Sequence, residues 1–137
     1  MSLFYVMVFL QSLISKNFFD IEILLKFATI HIMVYVLNGP ILTNFGLFRY
    51  RRITILQAKK ILKSSTFISA VGHEATAMLL SDLLEAEIKY NRVAIVMQEG
   101  DIAVVFHLLT RLEEGQILSI SELCSKDYTL GLLKKLE

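Results

Sequence analysis

The stretch Ile102–Leu109, IAVVFHLL, constrains this chain more than any other feature. It holds a single polar side chain, His107, so both faces of whatever it forms must be shielded from water. The run is rich in β-branched residues and short for a buried helix, which predicts a strand over Ile102–Thr110. A strand that is apolar on both faces belongs inside a sheet covered on both sides, by helices or by a partner subunit.

The rest of the pattern supplies further strands and helices. Val34–Leu37 is β-branched and aromatic and stops at Asn38-Gly39-Pro40, a strand closed by a turn. Ile41–Arg52 reads as a loop with a short basic strand near its end. Thr54 to Gln57 (TILQ) is a capping box that opens a helix to about Lys63. In that helix Ile55, Ala58, Ile61 and Leu62 share one face, and Lys59, Lys60 and Lys63 the other. A second helix starts near Gly72-His73 and runs to about Ala86. Arg92–Met97 reads as a strand that turns at Glu99-Gly100 to form a hairpin with the Ile102 strand. Ser119 to Glu122 (SISE) is a second capping box with a short helix behind it. The last ten residues fit a strand or a helix, Gly131 leaving both open. The expected fold is α/β: a mixed sheet of about five strands flanked by helices, in one small domain.

That domain is expected to span 33–137, preceded by an apolar extension over 1–32. Leu3–Ser15 is shorter than the roughly 20 residues a bilayer span needs. The next apolar run, Ile21–Leu37, contains Glu22 and Lys26, which are costly at membrane depth. The extension could pack on the domain, anchor it weakly to a membrane, or lie upstream of a start at Met33. The last is favoured, because Met33 directly precedes the first strand. No basic start or small-residue cleavage site marks a secretory signal. Cys124 is the only cysteine, which excludes an intramolecular disulfide and suits a reducing cytoplasm.

Net charge is only +1, but its distribution is uneven. Between Glu22 and Glu74 no acid occurs, while Lys26, Arg49, Arg51, Arg52, Lys59, Lys60 and Lys63 all fall there. Such a field suits an anionic ligand, and suits equally a solvated helix face. His73 follows a glycine in the first turn of a helix, where free N–H groups and the dipole attract phosphate. A histidine there can touch an anion and exchange a proton near neutral pH, although a cap or packing role is commoner. Arg111–Gly115 (RLEEG) places a cation and two carboxylates at a strand end, where ligands gather in open α/β sheets. A solvated turn with a local ion pair is the ordinary alternative. Asn91-Arg92 is a polar pair at a strand start, and His107 reads first as a satisfied core histidine.

Together, SAVGHEAT (Ser69–Thr76), YNRVAI (Tyr90–Ile95) and TRLEEGQIL (Thr110–Leu118) resemble the three signature stretches of the viral ring nucleases, which destroy the cyclic oligoadenylate messenger of type III CRISPR immunity. His73 to Arg92 and Arg92 to Arg111 are each 19 residues, the spacing of that family. The opening YVLN and the basic helix before SAVGH also match. The resemblance covers about a hundred residues and leaves out the first 32.

The resemblance implies a two-fold homodimer that binds cyclic tetra-adenylate across its axis and cuts it without metal or cofactor, in the cytoplasm of the infected host cell. Carried over, His73 is the general acid, Glu114 orients and charges it, and Arg111 holds the scissile phosphate. Asn38, Gly72, Arg92 and His107 belong to the ligand site. Ile41 stands where the family has a serine, and His107 where it has a glutamine. The chemistry is self-consistent. A ribose 2′-OH attacks the adjacent phosphorus, so the protein need only align, neutralise and protonate.

Two alternatives compete with this reading. A protein of the same fold could sequester the ring without cutting it. A DNA-binding regulator could use the basic helix, although no second recognition helix follows at helix-turn-helix spacing. No stable duplex-DNA or membrane partner is expected. A metal-dependent nuclease is disfavoured because no acidic cluster or His/Asp pair has ligand spacing.

Overall fold

Alternation along the Ile102 run decides the architecture. The computed structural model describes residues 3, 6, 32–42, 44–111, 115, 116, 118–123 and 125–137. The chain divides into two units, Met1–His31 and Ile32–Glu137. In the first, only Leu3 and Val6 are described, both helical. The second carries strands β1 (Val34–Asn38), β2 (Phe48–Ile53), β3 (Phe67–Ala70), β4 (Ile102–Leu108) and β5 (Tyr128–Lys135). Its helices are α1 (Ile55–Ser64), α2 (Glu74–Leu84) and the single turn α3 (Ile120–Leu123). The five strands form one mixed sheet in the order β2-β5-β4-β1-β3. β1 runs parallel to β3 and β4, and β5 is antiparallel to β4 and β2.

Both faces of β4 are buried, for different reasons. Val104 and Phe106 join Val34, Val36 and Leu130 against Ala58 and Leu62 of α1, the apolar stripe of α2, and Leu123 of α3. Ala103 and Val105 join Tyr35, Leu37 and Leu133 on the opposite face, beneath the fully buried Met97. Among the described residues, helices therefore cover one face only. The other is sealed by an irregular segment, residues 91–98.

That segment corrects the expected hairpin, because Arg92–Met97 forms no strand. β4 already has β1 on one edge and β5 on the other, so no ladder position is left for it. The segment is instead fixed at its ends. Asn91 N–H donates to the Val71 carbonyl (2.9 Å), and its amide donates to the Ser69 carbonyl (2.7 Å), closing the edge of β3. At the far end the buried Asp101 carboxylate accepts from Gln98 N–H (2.7 Å) and from Met33 N–H at the head of β1 (3.0 Å). Strand β3 itself was not foreseen.

Both capping boxes form. Thr54 Oγ1 accepts from Gln57 N–H (3.1 Å) while Gln57 Oε1 accepts from Thr54 N–H (3.0 Å). Ser119 and Glu122 reciprocate in the same way, and the backbone and hydroxyl donors of Ser119 hold the Glu122 carboxyl below its ordinary pKa. The last residues form a strand, and Gly131 within it has a packing reason: a Cβ there would overlap the Tyr50 ring. Cys124 lies outside the described residues.

Candidate functional site

The carboxyl ends of the parallel strands β1 and β4 meet the start of α2 at a cavity of about 1200 Å³. Asn38 comes from the last residue of β1, and Phe106 and Leu108 from the even-numbered face of β4. This is the position at which open α/β sheets gather ligands, because loops there diverge and helix N-termini point inward.

His73 is the N-cap of α2, with extended backbone (φ −129°, ψ 119°), and its side chain makes no capping hydrogen bond. The imidazole is thus exposed at the cavity rather than folded back on the helix. Its carbonyl accepts the first intrahelical bond, from Ala77 N–H (2.9 Å). The N–H groups of Glu74, Ala75 and Thr76 precede that ladder, and all three residues line the cavity. An eleven-residue helix with donors aimed at a concave site is a ready receptor for an anion. Arg111, three residues beyond β4, supplies the fixed positive charge on the same wall. Gly115 and Gln116 close that side.

Three of the residues expected from sequence therefore meet: Asn38, His73 and Arg111 line one cavity. Arg92 does not line it. Its aliphatic stem lies against Gly72, where a Cβ would sit 3.4 Å from Arg92 Cγ, so it stands beside the residue that precedes His73. His107 is not brought to the cavity. As an odd-numbered residue of β4 it shares a face with Ala103 and Val105, opposite Phe106 and Leu108, and pairs with Thr129. Glu114 lies outside the described residues. Glu74, Thr76 and Gln116 were not singled out in advance. Glu74 and Thr76 had a signal available, since they fill the first turn after His73.

Among the described residues, no three His, Cys, Asp or Glu side chains gather as a metal would require. Nor is any described helix long and apolar enough to cross a membrane. Chemically, the cavity offers helix N–H donors and a guanidinium for a phosphate, an imidazole that can carry a proton, and amide and hydroxyl groups for a polar ligand.

Comparison with known proteins agrees with this architecture. The chain is 37% identical over 107 residues to protein 26 of Sulfolobus islandicus filamentous virus, covering 74% of this chain and 91% of that one. It is 34% identical over 112 residues to the ORF117 protein of Acidianus two-tailed virus, covering 77% and 96%. The solved structure of B116 from Sulfolobus turreted icosahedral virus superposes with a TM-score of 0.62 at 26% identity, covering 74% of this chain and 98% of that one. Residues 34–130 match the STIV B116-like family, and the chain belongs to it.

Proposed function

We propose that this protein is a metal-independent ring nuclease that cleaves cyclic tetra-adenylate in the cytoplasm of an infected cell and so suppresses type III CRISPR defence. One observation carries the reading: His73 and Arg111, far apart in sequence, line a single cavity walled by the N-terminus of α2. A proton donor, a fixed cation and free N–H groups around one concavity are what RNA self-cleavage asks of a protein.

In the proposed reaction a ribose 2′-oxygen attacks the adjacent phosphorus. The P–O5′ bond breaks, leaving a 2′,3′-cyclic phosphate on one side. The 2′-OH proton passes to solvent, and His73 protonates the departing 5′-oxygen. Arg111 neutralises the phosphate, its planar fork matching two of the oxygens better than an ammonium would. Glu114 orients the His73 ring. Arg92, held beside Gly72, adds a second cation.

A homodimer belongs to this proposal. A ring with two-fold symmetry is read isologously by two copies. The segment over the sheet face opposite the helices supports a second copy: its Val93 and Val96 are 47% and 56% exposed.

The test is incubation of the full chain with cyclic tetra-adenylate in EDTA, products being resolved by chromatography. Linear and then half-length fragments ending in a 2′,3′-cyclic phosphate, or its opened form, are expected. His73→Ala should slow cleavage by about 10²–10⁴-fold. An absolute need for a divalent ion, or an His73→Ala variant as fast as wild type, refutes the reading. Intact ring recovered from the protein would make it a sequestering protein instead.

A further inference from the structure

A second concavity lies at the other end of α2. It has a volume of about 780 Å³ and sits between α1 and the residues that close α2. Its floor is apolar, made by the buried Leu62 and Leu84. Its rim is cationic: Lys59, Lys60 and Lys63 all border it. Leu56 completes the stripe at positions 56, 59, 60 and 63, one outward face of α1. The opposite stripe, through Ala58 and Leu62, is spent on the core. Leu56, 77% exposed among lysines, adds apolar surface to the lip of the groove.

We propose that this groove docks an acidic amphipathic helix of a partner protein. Charge complementarity sets the acidic character, because the rim cations lie in the acid-free stretch between Glu22 and Glu74. Among the described residues one acid borders the groove, Glu85, and it is engaged by Lys59 at 3.2 Å. Lys60 and Lys63 remain to face the partner. The apolar floor sets the amphipathic character, since leucines at i, i+3, i+4 and i+7 of a helix fit a trough between two helices. A nucleic acid fits less well, because among the described residues no aromatic side chain on which a base could stack lines the groove. A membrane also fits less well, because a bilayer is met by a convex apolar face and these leucines line a concave one. An eleven-residue helix puts roughly 16 Å between the groove and the His73 cavity, so the two surfaces can be tested apart.

The experiment measures fluorescence anisotropy of the full chain with a labelled synthetic peptide carrying leucines at helical spacing and glutamates beside them. A scrambled peptide of the same composition, a labelled oligothymidine and vesicles of mixed phosphatidylglycerol and phosphatidylcholine are run in parallel. The patterned peptide should bind at least about tenfold more tightly than the scrambled one, and Leu56→Glu should abolish that preference. Lys60→Glu with Lys63→Glu should weaken binding and flatten its salt dependence. Leu56 is exposed, so the melting temperature of its variant should stay at the wild-type value, as should ring cleavage. Equal affinity for both peptides, no peptide binding, indifference to Leu56→Glu, or a preference for the oligonucleotide or the vesicles overturns the proposal.

Discussion

Replacing Asp101 by Asn is the perturbation whose cost follows most directly from the structure. The side chain is 3% exposed, and its two oxygens accept from Met33 N–H and Gln98 N–H. It therefore ties the head of β1 to the turn that carries residues 91–98 into β4. Asn keeps one oxygen and turns an NH₂ toward a backbone N–H, so one bond is lost and two donors face each other. Hydrogen bonds to a charged group contribute about 1.5–3 kcal/mol, and a stranded buried donor costs about 1–3 kcal/mol. A loss of about 2–4 kcal/mol is expected, a large share of the roughly 5–15 kcal/mol typical of a domain. In urea the midpoint should fall by about 1–3 M with little change in slope. A second readout is independent of that loss. Burial first, and the Asp101 charge second, raise the Tyr35 pKa above 10.0. A raised pKa gives stability that is complete below the unfolded value and fades as pH climbs through the folded one. The variant should titrate Tyr35 lower, still above its ordinary value, and lose less stability on the alkaline side. A loss below about 1 kcal/mol, with Tyr35 unmoved, would show that the carboxylate is not the staple described.

Two further outcomes are expected. Gly131→Ala should destabilise by about 1–3 kcal/mol because the new methyl displaces the Tyr50 ring, whereas in a Tyr50→Ala background it should be neutral or stabilising. A double-mutant cycle in urea measures the coupling, and a coupling near zero refutes the contact. Glu114→Gln should slow ring cleavage while leaving affinity for cyclic tetra-adenylate intact, since removing a negative charge does not weaken polyanion binding. Single-turnover rates beside a binding isotherm decide it, and a binding loss as large as the rate loss gives Glu114 some other role.

What could be read from the sequence was local. Both capping boxes span four residues, and both formed as written. β4 was legible because its composition demanded cover on two faces. β3 was not: four residues with Ile68 half out in solvent carry no period, and only pairing with the distant β1 makes them a strand. Residues 92–97 misled because RVAIVM has strand composition, whereas strand formation needs a free partner edge. For the site, a glycine and histidine at a helix start located His73, and strand ends located Asn38 and Arg111. By parity His107 lies off the cavity. His107 was the polar exception in an apolar run, and only the register reveals that its neighbour Leu108 lines the cavity.

The misread segment also explains how Arg92 is held beside Gly72 without regular secondary structure. Asn91 bonds through both its N–H and its amide to the edge of β3, so the residue after it starts from a fixed point. Six residues on, Met97 is seated at zero exposure on the sheet, and the Asp101 turn follows. Between these anchors Arg92 has little freedom, and its stem comes to rest across Gly72, the one neighbour of His73 that lacks a side chain. The stem is seated in this way while the residue as a whole stays exposed, so its guanidinium is left toward solvent. A strand paired along its length would have held the backbone as firmly, but would have sent residues 93 and 96, of opposite parity, to opposite faces. The unpaired form keeps them outward, on the face where a second copy is proposed to sit. The place of the Arg92 stem and the exposure of Val93 and Val96 thus go with one packing arrangement, the burial of Met97.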